Sequence, residues 1–309
     1  MIAETTLALA ALAAAAAPLA EWRRAPVNAA QRAKASGEQV ALSRGITHLR
    51  RFGGVRGPVA LCIHGLTTPG YVWIPIAEVL ARQGYRVIVP DLYGRGLSDR
   101  AKGPQDAAFF TDQLTELCDT LGLGEDMLVL GYSMGGAIAT AFAAAQPRRV
   151  GRLVLLAPCG LGHDLGPFNR FCAATPVLGD WAMLALGGIV QRRGINHALP
   201  QHPSIPDITV RQAAETRLRG SLPAILSAQR HILTEDQAAL HRKIAFTGLP
   251  ILAIWAELDS IIPLSSLGRL TQANRHARQE VIAGAGHAMP WTHAREVTDA
   301  MLAFLRDPY

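Results

Sequence analysis

The sequence predicts an α/β protein, a mostly parallel β-sheet covered by helices on both faces and interrupted once by a helical insertion. Three observations predict it. Short, near-continuous apolar runs recur from about residue 40 onward, as strands buried on both faces require. Helical patterns, amphipathic or alanine-rich, separate them. One stretch, residues 160–220, breaks the alternation and carries no strand pattern, mixing Phe168, Phe171, Trp181, Met183 and Leu186 with Gly187, Gly188, Pro200, Pro203 and Pro206.

Taken in order, the expected strands are 59–63, 86–89, 127–130, 153–156, 251–255 and 280–282. The expected helices are 74–82, 107–121, 134–145, 264–274 and 296–305. Four segments follow: an apolar segment and linker over 1–36, a first core part over 37–159, the insertion over 160–220 and a second core part over 221–309.

A chain of 309 residues hides enough surface for a full core without disulfide staples. A hydrophobic share of 50% and a charged share of 17% exclude a disordered or coiled-coil chain. A mean hydropathy of +0.18 excludes a polytopic membrane protein. The net charge of +6 raises nucleic acid as a partner. Its distribution argues against one, since the arginines are scattered in pairs and the only lysines are Lys34, Lys102 and Lys243. Cys62, Cys118, Cys159 and Cys172 lie too far apart for a metal or redox motif and read as small buried hydrophobes.

Residues 5–20 carry no charge and run into Trp22, Arg23 and Arg24. A helix resting on the domain or on a membrane surface, a membrane anchor, and a cleaved signal are the three readings. Sixteen helical residues reach about 24 Å against a hydrocarbon core of about 30 Å, so a span is marginal. A secretory signal lacks its positive n-region, because Glu4 precedes the apolar run. The following arginines keep the body cytoplasmic under the positive-inside rule.

Gly131-Tyr132-Ser133-Met134-Gly135 follows an expected strand and opens an expected helix, the context a G-x-S-x-G nucleophile elbow requires. Side chains at Gly131 or Gly135 would strike the neighbouring strand or helix, and Gly136 aids close packing. Serine needs a base. Of ten histidines, His287 sits in a glycine-rich loop between the last strand and the last helix. His48, His231, His241 and His276 read as solvated, and His163, His197 and His202 fall in the insertion. Asp259, just past the 251–255 strand, is the carboxylate expected to orient the base, with Glu257 its weaker rival. The backbone N–H groups of Leu66 and Met134 are the expected oxyanion donors, and His64 reads as bracing the turn. Phe168, Phe171, Trp181 and Met183 are candidates to line a substrate pocket, against the alternative that they form the insertion's own core. No metal site and no cofactor are expected.

Together His64-Gly65, the turn from Asp91 to Asp99, the elbow, Asp259 and Gly286-His287 resemble, in order and spacing, the α/β-hydrolase fold superfamily from about Gly45 onward. The resemblance implies a mostly parallel eight-stranded sheet flanked by helices, with the insertion as a helical cap. It also implies that Asp91 to Asp99 braces the site from below, and serine at the elbow sets the chain apart from the dehalogenase and epoxide-hydrolase branches.

The leading functional reading is a cofactor-free serine hydrolase of carboxylic esters with an apolar acyl or aryl group, carboxylesterase-like or monoacylglycerol-lipase-like. A second is a carbon–carbon bond hydrolase of ring-cleavage products, with Arg192 or Arg193 holding the dienoate. A third is a perhydrolase or haloperoxidase, and a fourth a non-catalytic ligand-binding protein.

Overall fold

A computed structural model describes residues 2–197 and 203–307. Its strands are β1 (Glu38–Leu42), β2 (Gly45–Phe52), β3 (Val59–Ile63), β4 (Arg86–Pro90), β5 (Met127–Tyr132), β6 (Val150–Leu156), β7 (Ile251–Ala256) and β8 (Arg278–Ile282). They form one eight-stranded sheet in the order β1-β2-β4-β3-β5-β6-β7-β8. β1 and β2 form an antiparallel hairpin attached antiparallel to β4. From β4 to β8 all neighbours run parallel. Every residue of β3, β5 and β7 is buried, which explains why these strands read as unbroken apolar runs. Each fully buried Leu, Ile or Val here stabilises the fold by about 1.5–3 kcal/mol.

The helices are α1 (Ile2–Trp22), α2 (Ala29–Ala33), α3 (Ile74–Arg82), α4 (Ala107–Thr120), α5 (Met134–Ala145), α6 (Gly166–Ala174), α7 (Leu178–His197), α8 (Ile208–Glu215), α9 (Ser221–Arg230), α10 (Ala238–Ala245), α11 (Ser265–Ala273), α12 (Met289–Thr292) and α13 (Ala294–Arg306). All six strands and five helices expected from the sequence are present. β1 and β2 come in addition. β1 forms the sheet edge, and β2 beside it carries Thr47, His48, Arg50 and Arg51, so no apolar run marks either.

Between β6 and β7 the described chain is helical. It builds a small core of its own from Cys172, Ala182, Met183, Leu222, Ile225 and Leu226. The last three belong to α9, beyond residue 220. The first segment docks at its C-terminal end: Ala17 is buried, and Arg24 donates to the carbonyl of Leu184 in α7 at 2.7 Å. Ala25 bridges to Leu218. Among the described residues no helix is long and apolar enough to cross a membrane.

The strand order reverses at β3, whose neighbours are β4 on one side and β5 on the other. Loops leaving β3 and β5 therefore diverge and open a crevice at the carboxyl edge of the sheet, where ligands of open α/β sheets bind.

Candidate active site

The pairing of Ile63 with Gly131 brings the ends of β3 and β5 level. Beyond them the chain turns sharply at Ser133, which holds φ 55 and ψ −121, a conformation few non-glycine residues adopt. The close approach of helix and sheet dictates the flanking glycines. A Cβ at Gly131 would lie 2.4 Å from the carbonyl oxygen of Gly135, and one at Gly135 would lie 2.2 Å from that of Ile63. At Gly136 it would lie 2.6 Å from the Cβ of Pro158. Ser133 is consequently presented at the N-terminus of α5, where negative charge is favoured.

Two further loops leave the same edge. Asp259 follows β7 and His287 follows β8, and the parallel pairing of β7 with β8 keeps their ends side by side. His287 Nδ1 donates to Asp259 Oδ2 at 2.8 Å. Its Nε2 lies 3.0 Å from Ser133 Oγ. A carboxylate only accepts, so the neutral ring carries its proton on Nδ1 and offers Nε2 to the serine hydroxyl. The Asp259 side chain is 1% exposed, and its other oxygen accepts from the backbone N–H groups of Ile261 at 2.8 Å and Ile262 at 2.9 Å. Glu257 is occupied elsewhere, accepting from the N–H of Gly284 at 2.8 Å.

The loop after β3 runs beside the serine: a Cβ at Gly65 would stand 3.3 Å from that of Ser133. Leu66, half-buried, follows Gly65 in that loop, and Met134, fully buried, follows Ser133 at the start of α5. His64 is fully buried. It donates from Nδ1 to the carbonyl of Gly65 at 2.8 Å and accepts at Nε2 from the N–H of Leu92 at 2.9 Å, stapling the two loops together. Burial pulls its pKa down to about 4, which keeps it neutral.

The Asp91 to Asp99 turn lies beneath. Asp91 accepts from the N–H groups of Gly70 at 2.9 Å and Leu97 at 3.1 Å and from His48 Nδ1 at 2.8 Å. Burial alone would raise its pKa. The hydrogen bond from His48 and the charge of Arg50 outweigh burial and hold the carboxyl well below the usual carboxylate range. This corrects the solvated reading of His48, which is buried because Asp91 pairs with it. His241 is also buried, on α10, whereas His276 is exposed. His202 and the side chain of His197 lie outside the described residues.

Of the four pocket candidates, Phe168 and Trp181 are half-buried and, with Leu66, pack against the insertion's core. Met183 is fully buried inside that core, so its expectation as a pocket residue is corrected: its thioether fills the space between α7 and α9. Phe171 is 47% exposed and belongs to neither core cluster.

Three residues near the serine escape sequence reasoning. Tyr132 donates from its hydroxyl to the backbone carbonyl of His287 at 2.9 Å, and its ring lies 5.2 Å from the imidazole. Cys159 places its Sγ 3.7 Å from Ser133 Oγ; burial pushes its thiol up to about 12. Arg95 is buried and donates to the carbonyls of Leu66, Tyr93 and Ala224, with its guanidinium 4.0 Å from the sulfur of Met134. Only Tyr132 carried a signal, as the variable position of the elbow. Among the described residues no group of three His, Cys, Asp or Glu side chains is arranged to hold a metal.

A model of the alpha/beta hydrolase fold family matches residues 58–294, more than two thirds of the sequence. The chain belongs to the α/β-hydrolase fold family. It is 30% identical over 236 residues to a 2-hydroxy-6-oxononadienedioate/2-hydroxy-6-oxononatrienedioate hydrolase of Burkholderia vietnamiensis, covering 74% of this chain and 79% of that one. It is 26% identical over 269 residues to the pimeloyl-[acyl-carrier protein] methyl ester esterase of Aeromonas hydrophila, covering 83% of this chain and 98% of that one. Among solved structures, a thermophilic esterase from Thermogutta terrifontis superposes with a TM-score of 0.71 at 23% identity, over 88% of this chain and 98% of that one. The last likeness shows the α/β-hydrolase fold alone.

Proposed function

We propose that this α/β-hydrolase is a serine hydrolase of carboxylic esters bearing an apolar acyl or aryl group, working through Ser133, His287 and Asp259. The observation that carries the reading is the continuous chain from Ser133 Oγ through the His287 ring, 3.0 Å to Nε2 and 2.8 Å from Nδ1 to Asp259. Ser133 Oγ attacks the ester carbonyl carbon while Nε2 takes its proton, and Asp259 stabilises the imidazolium that results. The N–H groups of Leu66 and Met134 receive the oxyanion. Collapse expels the alcohol, protonated by His287, and water activated by the same nitrogen then hydrolyses the acyl-enzyme.

Arg95 supports this chemistry from behind. Burial brings its pKa down only to about 9, so a charged guanidinium stands beside Leu66 and Met134 at neutral pH. The helices between β6 and β7, including α9, act as the cap, and Leu66, Phe168 and Trp181 form an apolar ceiling. The carbon–carbon reading draws on the 30%-identical relative. It is less favoured because, of the two arginines expected to hold a dienoate, Arg192 donates to Thr216 at 2.8 Å and lines a groove against α1, and Arg193 is exposed.

Treatment with a fluorophosphonate is expected to label Ser133; labelling elsewhere, or none, overturns the proposal. A chain-length series of p-nitrophenyl esters run beside a ring-cleavage dienoate separates the two readings, the esters being turned over faster.

A further inference from the structure

The helix α1 presents a physical problem in water. Every described residue from Glu4 to Ala16 is exposed, and so are Leu7 (73%), Leu12 (68%), Leu19 (44%) and Trp22 (67%). Between Thr6 and Glu21 the helix has no charged or hydrogen-bonding side chain, so it offers no polar face to solvent. A helix that is apolar all round belongs inside a protein or a membrane.

The foot of this helix is built differently. Trp22 lies under the guanidinium of Arg219, 5.9 Å from its ring centre, and Arg219 also donates to the Trp22 carbonyl. Between α1 and the insertion runs a groove of about 420 Å³ lined by Arg23, Arg24, Arg192, Arg217, Thr216 and Ile189. Arg23 and Arg217 are exposed. Residues 1–36 and 160–220 together hold ten basic and six acidic side chains, so they account for four of the chain's six net positive charges.

An apolar shaft, an aromatic collar and a cationic groove in succession match a bilayer read from its interior to its surface: hydrocarbon, interface, anionic headgroups. We propose that α1 and the groove at its foot form a docking surface for an anionic phospholipid bilayer. The stretch 7–20 is about 21 Å long as a helix, shorter than the roughly 30 Å hydrocarbon core, so α1 does not span it but lies obliquely in one leaflet, with Glu4 at its start back at the interface. Trp22 lies at headgroup level and a lipid phosphate occupies the arginine groove. A second copy of the chain is the poorer occupant, because a two-fold contact on this face sets one cationic groove against another.

The test is co-sedimentation of the full chain with phosphatidylcholine vesicles, with and without phosphatidylglycerol. Binding is expected to the phosphatidylglycerol vesicles and to weaken as salt is raised. The double variant Leu7→Asp, Leu12→Asp is expected to lose binding while keeping the wild-type melting temperature, since both side chains are already in solvent. Arg23→Glu with Arg217→Glu is expected to bind about twentyfold more weakly or worse. The proposal is overturned if the protein ignores phosphatidylglycerol vesicles at low salt, or if binding survives the leucine variant. It is equally overturned if the chain forms a dimer that the leucine variant disperses while vesicles are ignored. Binding is read without turnover, so failure here leaves the role of Ser133 untouched, and the reverse.

Discussion

Two histidines in this molecule are paired with a buried aspartate in nearly the same geometry, and only one is placed to do chemistry. His287 and His48 each set Nδ1 2.8 Å from a carboxylate oxygen, of Asp259 and Asp91 respectively. Both carboxylates are 1% exposed. The far nitrogen makes the difference. In His287, 19% exposed, Nε2 meets the Ser133 hydroxyl at 3.0 Å. In His48, 2% exposed, Nε2 faces the carbonyl of Ser36 at 3.0 Å. A ring nitrogen held by a backbone carbonyl has no acceptor lone pair to offer, so the His48 pair braces β2 against the turn that follows β4. A His–carboxylate pair becomes a base when the second nitrogen is left to a hydroxyl at the open edge of the sheet.

The sharpest way to break this comparison is to remove the hydroxyl. Ser133→Ala is expected to lower ester turnover by at least about 10⁴-fold without lowering the melting temperature; more than a small residue of activity would move the nucleophile elsewhere. Next comes the orienting acid. Asp259→Asn is expected to cost roughly 10³–10⁴ in kcat, because the amide no longer selects the Nδ1-protonated tautomer. Single-turnover kinetics with a p-nitrophenyl ester measures both.

The same substitution in the structural pair is expected to act on stability. Asp91→Asn leaves His48 and Arg50 without their carboxylate and is expected to cost about 3–5 kcal/mol, with kcat of the folded protein within about tenfold of wild type. Its pH dependence sharpens the contrast. The folded pKa of Asp91 is depressed, so its stabilisation is present above the unfolded carboxylate value of about 3.9 and is lost as pH falls below it. Denaturant titrations are expected to show the gap between wild type and variant full at neutral pH and closing below about pH 4. The smallest effect is expected from Glu257→Gln, within about twofold in kcat, since Glu257 only accepts from the Gly284 amide. A large loss there would reassign the acid.

The central strands and the loops that leave them were legible because burial on both faces forces apolar runs and a tight elbow forces glycines. β1 and β2 were not: β1 is an edge strand that admits charge, and β2 beside it buries polar side chains whose partners, Asp91 and Gln113, are distant in sequence. Ser133 was legible in its glycine elbow directly after a strand, and Asp259 and His287 in the loops that follow two later strands. His48 was misread because its neighbours Arg50 and Arg51 look like a solvated face, although Asp91, distant in sequence, draws its side chain inward. Met183 and Trp181 lie on one helix with similar apolar character, yet one fills the insertion's core and the other reaches its margin.

The order of the elements, the elbow and the identities of the three candidate residues are thus written locally, because steric fit and burial act on short stretches of chain. That the second nitrogen of His287 meets a hydroxyl while that of His48 meets a carbonyl, and that Tyr132, Cys159 and Arg95 gather near Ser133, was decided only when parallel strands aligned their carboxyl ends. Hydrogen-bond partners more than a hundred residues apart are set by sheet register and loop packing, and no local pattern records them.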